Sequence, residues 1–580
     1  MNAASIIAQL KPRLADLRAK AGPLARRFWK ELTGAGVLLL VLAGPFLLRP
    51  ADTTGPTRYD RRLVILTPHH ESIRQEFGHA FTQYWKQKTG ETLFIDWRVP
   101  GGTSDIAMLL KSEYTAAFQN LWEGAQGQAW SATAAQACLD GKLDLAADAA
   151  GKFTLAQQAR KAFLDSTVGI GVDLFFGGGA YDFQSQARNG ILVSSPPDTL
   201  AGLPKVAQDH PDWFSDAGIP EQVSGEPFRD KDSRWCGTCL SSFGIVFNRD
   251  VLRRLGVEKD PEQWEDLADP RLAGQIALAD PGRSGSVAKA FEMLIQQQMQ
   301  KALVRLTKEP KKLKTPAEIE AAAVRLGWRE GLKLIQRISA NARYFADAST
   351  KIPLEVARGD AAAGMCIDYF GRASAESLQR LYGKSRVGFI MPEGGTSIGV
   401  DPIGMLRGAK EPELATAFME FVLSEKGQDL WSYRAGVPGG PRALALRRLP
   451  VRRDLYSADR LDFMSDGAEM PYEKAKAFQY HPEWTGPAFE SIRFIIRVMC
   501  VENHPELRRT WEEMIRTGFT PRAVEVFQDL EFVRYDNAIG PIARILHSRD
   551  KLQEIRKAHE LGDSFRKQYR LAIRHAQEGR

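Results

Sequence analysis

The sequence predicts an α/β protein in which helices cover mixed, mainly parallel sheets. Three observations support this prediction. Strand-like apolar runs alternate with amphipathic helical runs from residue 61 onward, beginning with "RLVILT" and "ESIRQEFGHAFTQYWKQKTG". The run "GVDLFF" is apolar almost throughout, as a strand buried on both faces requires. The chain of 580 residues is too long for one simple core, so we expect at least two lobes.

The same alternation continues along the chain. After the first strand and helix, "TLFIDWRV" reads as a strand, and Thr103 or Ser104 can cap the helix "DIAMLLKSEYTAAF". Further strands are expected at "SFGIVFN", "QIALAD", "ARYFAD", "AAAGMCID", "RVGFIMPEGG" and "VDPIGML". From about residue 450 the pattern turns helical, which predicts a helical extension over 451–580.

The net charge of +7 is concentrated at the N-terminus, where residues 1–32 hold seven Lys and Arg side chains against two acidic ones. The rest is close to neutral and shows no basic stripe with interleaved aromatics, so no nucleic-acid partner is expected. The uncharged run "GAGVLLLVLAGPFLL" follows the basic segment, in the order typical of an export signal. We interpret 1–32 as cytoplasmic and 33–48 as an inner-membrane anchor, with a cleaved signal as the alternative. Residues from about 50 onward are then expected in the periplasm.

Small and hydroxyl-bearing residues recur where predicted strands end. Ligands of open α/β sheets bind beyond the carboxyl ends of the strands, and the free N–H groups of a helix start favour anions. Arg283 beside "SGS" combines a cation with such hydroxyls, although plain N-capping is the alternative at each loop. The predicted ligand-binding residues are Thr67, His69, Glu71, Gly102, Thr103, Ser104, Gly178, Ser241, Ser242, Arg283, Ser284, Gly285, Ser286, Asp368 and Tyr369.

A metal ion is a candidate ligand, because His69, Asp368 and Tyr369 offer nitrogen and hard oxygen donors. The alternative is a structural histidine and a tyrosine whose hydroxyl is satisfied by a neighbour. The sequence contains no phosphate-binding loop ending Gly-Lys-Ser/Thr, no Gly-x-Ser-x-Gly elbow and no His-Glu-x-x-His. We therefore expect neither an enzyme nor a resident cofactor.

Five segments follow one another in an order that resembles a known family. They are "LVILTPHHESIRQEF", "VDLFFGGGAYDF", "CGTCLSSFGIVFNRDVL", "WEDLADPRLAGQIALADPGRSGSVAKAFEMLI" and "GDAAAGMCIDYFGR". Over residues 61–450 they resemble extracellular solute-binding proteins of ABC importers, in particular the ferric-iron-type branch of the type II periplasmic binding fold. The stretch from "WEDLADP" to the Ser-Gly-Ser loop is the most specific part.

The resemblance implies a two-lobed clamp that closes on its ligand and delivers it to an ABC permease with its ATPase. Lobe one would comprise 61–249 and 386–450, and lobe two 250–385, with "SFGIVFN" and "RVGFIM" beside the hinge. Ferric binders of the family carry adjacent tyrosines on a segment that "IDYF" resembles, but Asp368 replaces the first of them here. The ligand class therefore stays open among ferric ion, phosphorylated sugar, phosphonate and polyamine. A membrane-tethered sensor is an alternative function.

The stretch "WCGTC" at residues 235–239 looks like a thioredoxin redox centre. Such a pair needs a helix start behind it to lower the pKa of its first thiol, whereas "LSSFGIVFN" predicts a strand. We expect Cys236 and Cys239 to form a disulfide or to line the cleft as a reduced pair. Thiol–disulfide exchange stays the alternative function.

Overall fold

The computed structural model describes residues 58–124, 127–148, 151–308, 315–548 and 550–579. The chain divides into two units, Met1–Arg61 and Arg62–Arg580. The lobes, sheets and helices form the second unit. The predicted cytoplasmic segment 1–32 and membrane segment 33–48 lie outside the described residues. Within the described ranges, no helix combines the length and the apolar character that a membrane crossing needs.

The strands form two main sheets and one small hairpin. Numbered along the chain, they are β1 (Arg61–Leu66), β2 (Leu93–Arg98), β3 (Leu174–Phe176), β4 (Leu192–Val193), β5 (Gln222–Val223), β6 (Glu226–Pro227), β7 (Trp235–Ser241), β8 (Phe243–Asn248), β9 (Ile276–Ala279), β10 (Ala342–Ala346), β11 (Ala363–Ile367), β12 (Val387–Ile390) and β13 (Gly399–Leu406).

The first sheet has the order β2-β1-β3-β13-β4, and β7 also pairs with β13. β1 and β3 are parallel, whereas β13 runs antiparallel to β3, β4 and β7. The second sheet has the order β10-β9-β11-β8-β12, in which β10, β9 and β11 are parallel and β8 is antiparallel to β11 and β12. The central strands β3 and β9 are apolar and buried at each position, as strands covered on both faces must be.

Helices cover both sheets and make up most of the chain after β13. The α-helices are α1 (Glu71–Thr89), α2 (Thr103–Gly124), α3 (Ala132–Ala137), α4 (Leu155–Asp165), α5 (Ala180–Arg188), α6 (Gly202–Asp209), α7 (Arg249–Arg254), α8 (Gly285–Lys308), α9 (Pro316–Ala340), α10 (Ile352–Arg358), α11 (Asp368–Tyr382), α12 (Pro412–Leu423), α13 (Glu425–Ser432), α14 (Ala458–Leu461), α15 (Pro471–Lys474), α16 (Pro482–Thr485), α17 (Phe489–Ile496), α18 (His504–Arg516), α19 (Pro521–Phe527), α20 (Tyr535–Asn537), α21 (Ala543–His547) and α22 (Lys551–Glu578).

Each main sheet has its own buried apolar cluster, so the molecule has two lobes. The chain crosses from the first sheet to the second at Ser242, between β7 and β8, and returns between β12 and β13. The α/β class and the double crossing agree with the predicted clamp. The predicted ranges assign β8 and β12 to lobe one, but both strands hydrogen-bond within the second sheet.

The region after residue 450 is helical, as the sequence predicts, and it packs against both lobes. Val451 joins the apolar cluster of lobe one, whereas Trp484 and Ile492 join that of lobe two. The Gln296 side chain on α8 accepts from the His481 N–H at 2.9 Å and donates to the His481 carbonyl at 2.8 Å. The C-terminal region therefore contributes to the core of lobe two and is not a detached appendage.

Candidate functional site

A cavity of about 450 Å³ lies between the two lobes. Lobe one supplies the loops after β1, β2 and β3, and lobe two supplies the starts of α8 and α11. Tyr480, Phe489 and Arg493 of the C-terminal region form a further side. The volume is typical of a small-molecule site. The cavity also lies where α/β sheets bind ligands, beyond the strand ends.

The cavity wall brings together predicted residues from loops that are far apart in the sequence. The loops after β1, β2 and β3, the end of β7, and the starts of α8 and α11 all contribute. The predicted residues in the wall are His69, Gly102, Thr103, Ser104, Gly178, Ser241, Gly285, Ser286 and Tyr369.

The structure does not place the other predicted residues in this wall. The buried Thr67 hydroxyl accepts from the His69 N–H at 3.1 Å, and the Ser284 hydroxyl accepts from the Val287 N–H at 3.4 Å. Both hydroxyls thus accept hydrogen bonds from nearby backbone N–H groups. This is the local capping role that was the alternative to ligand binding.

The remaining predicted residues outside the wall lie at the crossing or in solvent. Ser242 donates to the Asp368 carboxylate at 3.3 Å where the chain passes from one sheet to the other. Glu71 and Arg283 are exposed. Strand-end position alone did not distinguish these side chains from those that face the cavity.

Two long helices begin at the cavity and meet across the cleft. α2 starts at Thr103 in lobe one, and α8 starts at Gly285 in lobe two. A Cβ atom added to Gly285 would lie 3.3 Å from Thr103 Oγ1 and 3.9 Å from Ser104 Oγ. The first turn of each helix has N–H groups without intrahelical partners and a partial positive charge. This end of the cavity is therefore suited to an anionic group.

Lys289 adds a cation one turn into α8. Its ammonium lies 3.2 Å from Glu226 Oε1 of β6 and 3.0 Å from Glu292 Oε2, and it lies 3.7 Å from the ring centroid of Tyr480. Burial by itself would lower the pKa of Lys289, but the two carboxylates raise it above its usual value, so the side chain is charged. Lys289 was not among the predicted site residues, although its four-residue spacing from Gly285 on one helix face was an available signal.

Arg448 links the two lobes on another side of the cavity. Its guanidinium lies 3.1 Å from Asp368 Oδ1 of α11 and 3.0 Å from Asp401 Oδ2 of β13. Burial opposes the charge of Arg448, but the two carboxylates raise its pKa. His69 Nε2 lies 3.5 Å from Asp401, and burial lowers the pKa of His69. No sequence pattern marked Arg448, because its partners lie far away in the chain.

Asp182 is an acidic side chain in the cavity wall close to the start of α2. Burial raises the pKa of Asp182 to about 6, although hydrogen bonds from Thr103 and the Gly179 N–H and the charge of Arg493 oppose the rise. The carboxyl group therefore changes its charge near neutral pH beside the helix starts.

We predict that sulfate affinity falls about fivefold between pH 5 and pH 7.5, because the ionised Asp182 repels the anion. Sulfate remains a dianion over this range, so the charge of the probe itself does not change. Calorimetric titration of the wild type and of Asp182→Asn measures the effect. The variant is expected to show a smaller slope than wild type, and an equal slope in both proteins would contradict the assignment to Asp182.

Cys236 and Cys239 are free, so the predicted disulfide is wrong. Both lie in β7, where three extended Cα-to-Cα steps place their Cα atoms about 10 Å apart, beyond the reach of a disulfide. Both are fully buried and outside the cavity wall, so the predicted position lining the cleft is also wrong. Burial raises the pKa of Cys236 to about 12 and that of Cys239 well above its usual value, the opposite of a redox-active thiolate.

We predict that the five cysteines do not react with maleimide in the folded protein, because all of them are buried. Labelling followed by mass spectrometry should show no adduct before denaturation and five afterwards. The addition of a cavity ligand should change nothing. Ligand-dependent protection of Cys236 or Cys239 would contradict the structure.

The three side chains predicted as metal ligands are engaged in other contacts. His69 faces Asp401, Asp368 faces Arg448, and the Tyr369 hydroxyl lies 2.7 Å from Ser72 Oγ. The Arg448 guanidinium carbon also lies 5.5 Å from the centre of the Tyr369 ring, which disfavours a cation there. Throughout the described ranges, no three His, Cys, Asp or Glu side chains converge as metal ligands.

The two lobes, the double crossing and the cavity between them define a two-lobed binding fold. Residues 215–453 match the family model described as bacterial extracellular solute-binding protein. The match includes the crossing at Ser242, the start of α8 and Arg448, and it confirms the predicted resemblance for this part of the chain. The family is a class of binding proteins that act outside the cytoplasm.

Two curated relatives match part of the chain. A protein of Haemophilus influenzae is 23% identical over 205 residues, which are 35% of this chain and 49% of the relative. The phosphoglycerate transport regulatory protein PgtC of Salmonella typhimurium is 21% identical over 189 residues, which are 33% of this chain and 38% of the relative. The chain thus spans half or less of the length of these relatives.

Solved periplasmic binding proteins resemble the chain at low identity. AfuA from Actinobacillus pleuropneumoniae, with fructose-6-phosphate bound, is 16% identical with a TM-score of 0.40, covering 64% of this chain and 82% of its own. Iron-bound HitA from Pseudomonas aeruginosa is 14% identical with a TM-score of 0.41, covering 74% of this chain and 98% of its own.

Proposed function

We propose that the protein is an extracytoplasmic solute-binding protein that captures a small anionic solute between its lobes. The observation that carries the proposal is the meeting of the α2 and α8 starts in the cavity. Thr103, Ser104 and Ser286 provide hydroxyl groups there, and Lys289 provides a charge. These groups come from both lobes, so an anion bound by them would hold the clamp closed.

A phosphoryl or phosphonyl group fits this end of the cavity better than a cation does. The unpaired N–H groups and dipoles of the two helix starts favour negative charge, which disfavours a polyamine at this end of the cavity. A ferric ion would lack the second tyrosine and would face Arg448 near Tyr369. The name of the Salmonella relative, which refers to phosphoglycerate, supports the same ligand class.

The structure has the contacts expected of a closed clamp. The hydroxyls of Ser72 on α1 and Tyr369 on α11 lie 2.7 Å apart, and Lys289 of lobe two reaches Glu226 of β6 at 3.2 Å. These contacts join elements of the two lobes, and Glu226, Lys289 and Tyr369 also line the cavity. Opening the hinge would break both contacts, so ligand release is coupled to their loss.

Delivery to an ABC permease and its ATPase, and anchoring of the chain in the inner membrane by residues 33–48, are parts of the same proposal. A membrane-tethered sensor is the second candidate, because the name of the Salmonella relative joins transport with regulation. Affinity capture of the full-length chain from membranes separates the two: a permease should co-purify for transport, and a sensor protein for signalling.

Thermal unfolding and calorimetry with a ligand panel test the function. The anionic probes are inorganic phosphate, 3-phosphoglycerate and fructose 6-phosphate. The cationic comparators are spermidine and ferric ion, the latter supplied as its citrate complex and read against citrate alone. A ligand at about 100 times its Kd should stabilise the fold by about 2.7 kcal/mol. Native mass spectrometry of the purified chain should show a co-purified phosphorylated solute. Responses to the cationic probes only, or to none, would contradict the proposal.

A further inference from the structure

The C-terminal region reaches the cavity through a contact between the lobes. Phe489 opens α17, which packs on lobe two, and its ring lies 4.9 Å from that of Tyr181 on α5 of lobe one. Both rings line the cavity, and Phe489 is buried whereas Tyr181 is exposed. An aromatic pair thus closes the cavity where the two lobes meet.

Arg493 connects the same helix to the start of α8. Its Nε donates to the Pro281 carbonyl at 3.0 Å, and its Nη2 donates to the Gly282 carbonyl at 3.0 Å. These carbonyls belong to the loop between β9 and α8, directly before Gly285. The two hydrogen bonds fix the loop in two directions, as a guanidinium fork can do and an ammonium cannot.

Tyr480 forms the third contact of this region. Its N–H donates to the Ser224 carbonyl of the β5–β6 hairpin at 2.7 Å, and its hydroxyl lies 3.1 Å from Glu292 Oε1 on α8. Its ring also covers the Lys289 ammonium. The segment before α17 therefore holds the cation of the cavity between a lobe-one hairpin and a lobe-two helix.

We infer that residues 480–493 are a built-in wall of the ligand site. In this wall, Arg493 positions the start of α8 for the anion, and Phe489 contacts the body of the ligand. The inference rests on the proposed anion-binding function, which it extends to a region outside the matched residues 215–453. Loss of each side chain should therefore affect ligand affinity differently. Arg493 acts on the binding of the anionic group, whereas Phe489 acts on the organic part of the ligand that carries this group.

Calorimetry with inorganic phosphate and fructose 6-phosphate distinguishes the two roles. Arg493→Gln should weaken both probes by about tenfold, because both use the α8 start. Phe489→Ala should weaken fructose 6-phosphate by about tenfold and leave inorganic phosphate within about twofold. For Phe489→Ala, a purely structural role would weaken both probes equally. For Arg493→Gln, it would lower the unfolding temperature in step with the affinity, whereas a positioning role leaves the unfolding temperature close to that of wild type.

Matched variants in the same region serve as controls. Arg522→Gln removes an exposed arginine that pairs with Glu525, and Phe532→Ala removes a ring that packs on Phe565 away from the cavity. Neither should change the affinity for either probe. Arg493→Lys should recover only part of the loss, because lysine keeps the charge but not the two-carbonyl fork. Unchanged affinities in Arg493→Gln and Phe489→Ala would overturn the inference.

Cross-linking tests the wall without any ligand. The native cysteines are buried, so a short bismaleimide should join only the introduced thiols of a Tyr181→Cys/Phe489→Cys double variant. An intramolecular cross-link supports the wall. Its absence, with both thiols reactive, overturns the wall. If the cross-link forms but wild type binds neither probe, the proposed anion-binding function fails while the contact between the lobes stands.

Discussion

Replacing Gly285 by aspartate is expected to weaken phosphate binding by about a hundredfold or more. A side chain at this position would point toward Thr103 Oγ1 and Ser104 Oγ, where the starts of α2 and α8 meet. A carboxylate there would stand within a few ångströms of the bound anion, and two like charges at about 4 Å repel by about 4 kcal/mol at an effective dielectric of 20. Calorimetry with inorganic phosphate measures the loss.

The same substitution should weaken phosphate binding without lowering the thermal stability of the fold. A carboxylate in the first turn of α8 interacts favourably with the helix dipole, so Gly285→Asp should keep or raise the unfolding temperature. Gly285→Asn is the matched control, because it has nearly the same shape without the charge. We expect asparagine to retain most of the phosphate affinity. An equal loss in both variants would show that the effect is steric and not electrostatic, and unchanged phosphate affinity in Gly285→Asp would show that the anion site is wrongly placed.

Replacing Arg448 by methionine is expected to destabilise the fold by about 3–5 kcal/mol. Arg448 is buried between Asp368 of lobe two and Asp401 of lobe one, and it also donates to the Leu240 carbonyl at 3.3 Å. Methionine fills much of the volume but leaves the two buried carboxylates without their cation. Chemical denaturation, followed by the fluorescence of the buried tryptophans, measures the free energy of unfolding.

The loss of folding stability caused by Arg448→Met should depend on pH. Burial already raises the folded-state pKa of Asp368, and loss of the Arg448 charge removes the main influence that lowers it, so the folded variant binds more protons than the unfolded chain. Its stability relative to wild type should therefore fall as pH rises from about 5 to 8. Arg522→Gln, which breaks an exposed pair, should cost less than about 1 kcal/mol at either pH. An equally small cost for Arg448→Met would contradict the assigned role.

Much of the fold and part of the site followed from local sequence patterns. Apolar runs such as "LFF" in β3 and "IALA" in β9 can be buried only within a covered sheet, so their positions were predictable. The loops before α2 and α8 are rich in glycine and hydroxyl groups and follow strand ends. They were predicted to contribute to the ligand site, because ligands of α/β sheets bind beyond the carboxyl ends of the strands. The same reasoning predicted His69, Ser241 and Tyr369, which also line the cavity.

The errors have a common physical cause. The direction of a side chain at a strand end depends on the pleat of that strand and on the first turn of the helix that follows. Ser286 therefore lines the cavity wall, whereas the nearby Ser284 caps α8. The pair in "WCGTC" was wrongly expected to form a disulfide or to line the cleft, because the sequence did not show that both cysteines lie inside the extended strand β7 and are fully buried. Arg448 and Arg493 were missed because their partners lie far away in sequence.

The sequence by itself determined the α/β class, the alternating elements and the glycine- and serine-rich loops that open α2 and α8, because these depend on periodicity and backbone preference over a few residues. Only the tertiary structure decided which charges face the cavity and how the C-terminal region closes it. Those properties depend on contacts between distant segments: Lys289 with Glu226, Arg448 with Asp401, and Phe489 with Tyr181. Such contacts arise from packing in three dimensions, and no local pattern encodes them.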